Sequence, residues 1–291
     1  KINTERANLD RFLRFYSGEE IAEVSRALSR IITVINDSFD VKCYMDEPVS
    51  TFLNDTFNHH FSCHGAVCMH FQASWLPGLM FFTSDMAQSK PVELHVIKNG
   101  AERVTQHIIA RKAGKDRPSY ITDYNGIGKR FYDVSLMFCK GLFRSIFMTN
   151  SLYIDRDPGA HWTHVKCLLA FSKGGYSDKK LSTFDDSNRY VIFPLHYEPE
   201  AVLTYYSEFT RQVEIAQQLL DTLPKDYQLI LKEHPSQIGA LNLEQWKDIT
   251  KAKRVHKISG NFSSFKLFDL DCVVVSQGST MALEAALFGV P

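Results

Sequence analysis

Three short segments in the last third of the chain combine residue types that can hold an anion. Ser276-Gln277-Gly278-Ser279-Thr280 follows an apolar run, Asp271–Val275, and precedes a helical pattern, Met281–Phe288. A strand that feeds a small-residue turn and then a helix exposes backbone N–H groups at the positive end of the helix dipole. Gly278 lets a phosphate approach, and the hydroxyls of Ser276, Ser279 and Thr280 can donate to its oxygens. Glu284 sits one turn further on, within reach of a ribose hydroxyl. The same residues also suit plain N-capping by Ser279 or Thr280. The second segment, Lys232-Glu233-His234-Pro235, ends the predicted strand Tyr227–Lys232. An imidazole there can hydrogen-bond a phosphate or protonate a leaving group, and Pro235 stops the strand. The third, His196-Tyr197-Glu198-Pro199-Glu200, ends the predicted strand Tyr190–Leu195 and adds an imidazole and two carboxylates. Ligands of open parallel sheets bind outside the carboxyl ends of the strands, so all three segments are expected on one rim.

Earlier in the chain, Asp46-Glu47-Pro48 closes a short strand candidate, Val41–Met45, and Asp123 lies in Thr-Asp-Tyr-Asn-Gly. A carboxylate at such a strand end can act as general base or nucleophile, or simply form a turn. Metal chemistry has weak support. His59, His60, Cys63, His64 and Cys68 are dense, but their spacing suits no common zinc frame and the stretch fits a helix leading into a strand. The two D-x-D sequences, Asp155–Asp157 and Asp269–Asp271, read as turn and strand-entry residues.

Positioning these segments requires an alternating architecture. Beyond residue 189 the pattern runs strand (Tyr190–Leu195), helix (Glu208–Leu223, stopped by Pro224), strand (Tyr227–Lys232), helix (Leu243–Ala252), strand (Arg254–Ile258), short helix (Ser263–Asp269), strand (Asp271–Val275) and helix (Met281–Phe288). That order predicts a doubly wound α/β domain. In the first half, Ser17-Gly-Glu-Glu20 is a capping box opening a helix with an apolar stripe of Ile21, Val24, Leu28, Ile31, Ile32 and Ile35. Ser50–Phe61 reads as a helix and Gly65–Phe71 as a strand, so a parallel sheet is expected there too. Lys90–Lys112 and Asp133–Thr149 read as helices, and Ser172–Arg189 as a polar interdomain linker. The fold class expected is α/β with two Rossmann-like domains of GT-B type. They comprise an acceptor and catalytic domain, 1–188, and a nucleotide-sugar domain, 189–291, whose C-terminal part is read as incomplete because the chain stops at Gly289-Val290-Pro291.

The 291 residues carry 33 Lys+Arg and 33 Asp+Glu, so a global basic excess of the kind that wraps nucleic acid is missing. No apolar run reaches the roughly 18 residues of a membrane span. The six cysteines form no CxxC pair, and several sit in apolar runs, which suggests buried reduced thiols and a cytoplasmic location.

Taken in order, Phe193-Pro-Leu-His-Tyr-Glu-Pro-Glu200, Leu223-Pro224, Leu231-Lys-Glu-His-Pro235 and Ser276-x-x-Ser-Thr280 with Glu284-Ala285 resemble the capsular-polysaccharide synthesis family, which includes retaining transferases that move β-Kdo from CMP-Kdo. The His-Pro and Ser-Ser/Thr pairs are similar to the CMP-binding motifs of bacterial GT-B sialyltransferases. The resemblance covers about residues 190–291. It implies that His234, Ser279 and Thr280 hold the CMP phosphate and that Glu284 reaches the ribose. It also implies a metal-independent transfer needing no cofactor beyond the CMP-sugar donor. The acceptor would be a capsule or lipopolysaccharide glycan or glycolipid, with the catalytic carboxylate from the first domain (Glu47, then Asp46 and Asp123), and the enzyme could sit at the inner face of the cytoplasmic membrane. A UDP-sugar transferase or epimerase, or a non-catalytic glycan-assembly subunit, are the competing expectations.

Overall fold

The computed structural model describes the chain apart from residues 1, 3, 11, 12, 14, 15, 48–50, 74–78, 86–89, 93–98, 114–126, 148–157, 175–183, 186, 199 and 210. It is α/β and falls into two compact units. One is Lys1–Asp116 with Asn150–Asp155 and Thr204–Tyr206; the other is Arg117–Thr149, Arg156–Leu203 and Ser207–Pro291.

In unit 1, helix α1 (Gly18–Ser38) starts at the predicted capping box: Ser17 Oγ accepts from the Glu20 N–H, and the Ser17 N–H donates to Glu20 Oε2 at 2.8 Å. Its buried stripe is Ile21, Ser25, Leu28 and Ile32; Ile31, expected on that stripe, is exposed. Strand β1 (Cys43–Asp46), helix α2 (Phe52–Cys63) and strand β2 (Val67–Ala73) form a parallel β-α-β unit, and β3 (Met80–Thr83) adds an antiparallel edge that the sequence reading did not anticipate. The expected helix Lys90–Lys112 is shorter, α3 (Gly100–Lys112), since Pro91 instead bridges to Thr83. Asp10 bonds the Phe52 N–H at 2.6 Å, tying the first turn of α2 to the preceding 3-10 turn, Thr4–Leu9.

Unit 2 opens with two helices, α4 (Ile127–Phe147) and α5 (Pro158–Gly174). The latter overruns the start of the stretch expected to be a linker. The rest alternates as predicted: β4 (Arg189–Pro194), α6 (Ala201–Thr204), α7 (Gln212–Thr222), β5 (Tyr227–Lys232), α8 (Lys247–Lys251), β6 (Val255–Ile258), α9 (Ser264–Leu267), β7 (Cys272–Val274) and α10 (Thr280–Leu287). The single helix expected over Leu243–Ala252 is a 3-10 turn, Glu244–Trp246, continued by α8, with Trp246 buried.

The four strands are all parallel, in the order β6-β5-β4-β7. Both faces of the sheet are covered, so Tyr190–Phe193 of β4, Leu229–Leu231 of β5 and Cys272–Val274 of β7 are continuous apolar runs, whereas the edge strand β6 carries His256 and Lys257. Val191, Phe193, Leu229 and Leu231 point to one side, against Ala216 and Leu220 of α7, Trp246 and Ile249. Tyr190, Ile192 and Ile230 point to the other, against Leu267, Met281 and Ala285. Each such side chain contributes about 1.5–3 kcal/mol of burial, which fixes the register and hence where each strand ends.

No helix among the described residues is long and apolar enough to cross a membrane. Cys167 and Cys272 are buried as expected; Cys43, Cys63 and Cys139 are exposed, because burial in an apolar run depends on which side of an element the residue takes.

Candidate functional site

Because β4, β5 and β7 are parallel neighbours, the segments that follow them leave the sheet on the same rim. Pro194 pairs with Lys232 and Ile192 with Val274. The strand order reverses between β4 and β7, and β4 has β5 on its other side. Two of the three predicted segments therefore flank the point of reversal, where ligands of open α/β sheets settle, and the third is one strand away.

The segment after β5 is built tightly. Glu233 is 1% exposed, and its carboxylate accepts from the N–H groups of Gly239 and Leu241 at 2.9–3.1 Å. This closes the loop into a compact turn, within which Pro235–Gln237 is a 3-10 helix. Gly239 has φ +95°, and a Cβ there would lie 2.0 Å from the Cys167 carbonyl oxygen, so the loop lies directly on α5. Gly260 presses on the other side: a Cβ would meet the His234 carbonyl oxygen at 2.6 Å. Held between them, His234 accepts the Ser236 N–H on Nδ1 at 3.1 Å. That bond puts the proton of the neutral ring on Nε2, which makes Nε2 a donor. Lys232 lies beneath, 5% exposed, with Nζ donating to the Gly260 carbonyl at 3.3 Å. Burial pulls its pKa down to about 8, against the opposing pull of the Glu284 and Glu233 carboxylates. Glu284, on α10, is itself 4% exposed.

The segment after β4 is braced by two glutamines that the sequence reading did not single out. Gln212, the first residue of α7, accepts the His196 N–H at 2.7 Å and donates to the His196 carbonyl and the Glu198 carboxylate. Gln237 accepts the Glu198 N–H at 3.0 Å and donates to the Glu198 carbonyl. Gln237 belongs to the turn after β5, so it locks the two segments together. His196 is buried, with Nδ1 3.0 Å from Glu200 Oε2. The carboxylate accepts the Nδ1 proton, and Nε2 is a buried atom with no hydrogen-bond partner among the described residues. Tyr197 stands edge-on to both His234 and His164, the latter on α5.

After β7, the Ser276 hydroxyl accepts the Gly278 and Ser279 N–H groups at 3.2 and 2.7 Å, and Ser279 caps α10 by accepting the Met281 N–H at 3.1 Å. The capping anticipated from sequence is thus realised. The two serines take their amide protons as acceptors, and their own O–H groups remain donors. Gly278 has φ +110°, a conformation other residues rarely adopt. Gln277 anchors the loop by donating to Ser207 and to the Phe209 carbonyl, both at 2.9 Å. Neither the Gln277 bonds nor the glutamine braces had a sequence signal: each joins a side-chain amide to a group distant in sequence.

In unit 1, Asp46 is held by Tyr44 and Asn54 and accepts the Glu47 N–H at 2.7 Å, while Glu47 is exposed. Burial and the Asp46 carboxylate push the Tyr44 phenol well above its ordinary pKa, so Tyr44 stays a donor to Asp46. Asp123, Asp155 and Asp157 lie outside the described residues. Asp271 pairs with Arg189 at the opposite, amino-terminal end of the strands. Among the described residues, no three His, Cys, Asp or Glu side chains come together as metal ligands would. Comparison with family models, with curated proteins and with solved structures finds no match to this chain.

Proposed function

We propose that the chain is a glycosyltransferase that binds a CMP-activated acidic sugar, Kdo by the resemblance, at the rim of the unit 2 sheet and passes the sugar to a glycan or glycolipid acceptor. The observation that carries this is the shared rim: the imidazole after β5, the buried His196 with its Glu200 partner after β4 and the serine turn after β7 leave three adjacent parallel strands in one direction. The order β6-β5-β4-β7 supports this reading, since it matches the 3-2-1-4 part of a Rossmann sheet, three strands on one side of the reversal and one on the other. His234 Nε2–H and the hydroxyls of Ser276, Ser279 and Thr280 are the donors assigned to the phosphate, supported by the dipole of α10. With those donors in place, the departing CMP needs no bound cation. The burial of Glu284 favours a role in holding the Lys232 ammonium over a direct contact with the ribose. For the transfer step, Glu47 and Asp46 are the carboxylates assigned, with Asp123 as the third candidate.

Titration calorimetry of CMP against the wild type and His234→Ala tests the donor site. Loss of one charge-assisted hydrogen bond weakens binding by about tenfold or more. Equal affinity for the two proteins removes His234 from the site. A thermal-shift panel of CMP, UDP and GDP tests the base: preferential stabilisation by UDP overturns the cytidine donor, and no response to any nucleotide overturns the proposal.

A further inference from the structure

The last turn of α2 brings together imidazole groups that the nucleotide site does not use. His60-Phe-Ser-Cys-His64 has the H-x-x-x-H spacing that places two imidazoles on one side of a helix, one turn apart. Their ring centroids are 4.1 Å apart. Each ring has one nitrogen already engaged. His64 Nδ1 donates to the His60 carbonyl at 2.7 Å, which leaves the Nε2 lone pair of the neutral ring open. His60 Nε2 lies 3.0 Å from the side-chain amide of Asn36 on α1, so Nδ1 is its remaining nitrogen. A half-turn of that amide presents its oxygen to an Nε2–H and frees the Nδ1 lone pair. Histidines that ligate metals are held in this way, one nitrogen on the ion and the other bonded to protein.

The simpler account is capping. An imidazole near a helix C-terminus can bond the last carbonyls, and its positive charge complements the dipole. That accounts for His64 alone. It does not account for a second imidazole set beside the first, because two cationic rings at this distance repel. Burial first, and then the neighbouring His64, lowers the His60 pKa from its ordinary value, which favours the neutral, ligating form. His64 is exposed and His60 half-buried, so an ion can reach the pair from solvent. The thiol next to His64 turns elsewhere: Cys63 Sγ lies 3.9 Å from His59 Nε2.

We propose that His60 and His64 chelate a divalent transition ion of the Zn²⁺, Ni²⁺ or Cu²⁺ class. Imidazole suits these ions, whereas Mg²⁺ and Ca²⁺ take oxygen ligands. Among the described residues no third ligand joins the pair, so water fills the remaining positions. The ion clips one helical turn, since the two ligands meet only while α2 is helical. The site does not depend on nucleotide binding. It lies ten residues, about 15 Å of helix, from Asn54, the α2 residue that holds Asp46.

The test is titration of the full chain, stripped of metal, with Zn²⁺ by calorimetry and with Co²⁺ by absorption. The wild type is expected to bind Zn²⁺ and to melt at a higher temperature when the ion is in excess. His64→Ala removes an exposed ligand and should weaken binding by about tenfold or more. His60→Gln keeps a side-chain amide beside Asn36 and should weaken it as much. Cys63→Ser should bind as the wild type does, and the Co²⁺ complex should lack thiolate charge-transfer absorption. Equal affinity of the wild type and both histidine variants overturns the proposal, as does a wild type that binds no ion. Loss of binding in Cys63→Ser, with thiolate absorption in the wild type, also overturns it, by assigning the ion to Cys63 and His59.

Discussion

Lys232 illustrates how one residue can carry both the stability and the chemistry of the rim. It is buried, with a pKa near 8 against the ordinary lysine value of 10.5. The unfolded chain therefore binds more protons than the folded one between those two pH values, and stability must rise with pH across that window. Below about pH 8 both states are charged, and the folded state bears the full desolvation cost. The shift corresponds to about 3 kcal/mol. Lys232→Met removes this slope, so the difference between wild-type and variant urea midpoints should change from pH 8 to pH 10.5 and be flat below pH 7.5. A flat difference throughout would mean that Lys232 is hydrated or more tightly paired with Glu284. On the same account the variant is expected to be more stable than the wild type at neutral pH, by up to about 3 kcal/mol less what the lost hydrogen bond to the Gly260 carbonyl contributes, because the shift to about 8 already includes the attraction of Glu284 and Glu233.

At the scale of elements, the parallel strands were legible because burial on both faces writes itself into composition. Tyr227–Lys232 is bounded as predicted, and Tyr190–Leu195 and Asp271–Val275 differ by a residue or two at their ends. Helix α5 was not legible: Val165, Cys167 and Leu168 are buried, but apolar residues lie around much of the helix, so no stripe betrays it. Helix α7 starts four residues later than predicted because Gln212 turns back to the end of β4, and because Ser207 and Phe209 are engaged by Gln277. Gly260 is another element-level feature invisible in sequence, since its importance lies in the backbone of the neighbouring turn. Gly260→Ala places a methyl group within 2.6–2.8 Å of the His234 carbonyl group and Pro235 Cα. Overpacking of this kind costs about 1–3 kcal/mol and must move the turn. The variant should melt lower and bind CMP more weakly. Gly18→Ala, where a Cβ meets nothing within 4 Å, serves as the control and should be neutral or slightly stabilising. Unchanged CMP affinity in a destabilised Gly260→Ala would dissociate the His-Pro turn from nucleotide binding.

For the molecule as a whole, 33 basic and 33 acidic side chains cancel, so any attraction for an anionic donor must come from how unit 2 is laid out. In a parallel β-α arrangement the helices that follow the strands start at the carboxyl rim. α7 and α10 therefore direct their amino ends, and the positive ends of their dipoles, toward the side where His196, His234 and Ser276 emerge. Two helix amino ends thus face this rim without a basic patch. On this basis the transfer reaction should proceed at the same rate after exhaustive treatment with EDTA, and added Mg²⁺ or Mn²⁺ should change it by less than about twofold, because fixed N–H and O–H donors already meet the charge that develops on the departing phosphate. Loss of transfer on chelation, with recovery on adding a divalent cation, would show that these donors are insufficient and that the phosphate is held through a metal. CMP binding measured beside transfer separates the two possible origins of such a loss: a metal that anchors the donor changes both, whereas one needed only for chemistry leaves CMP affinity intact.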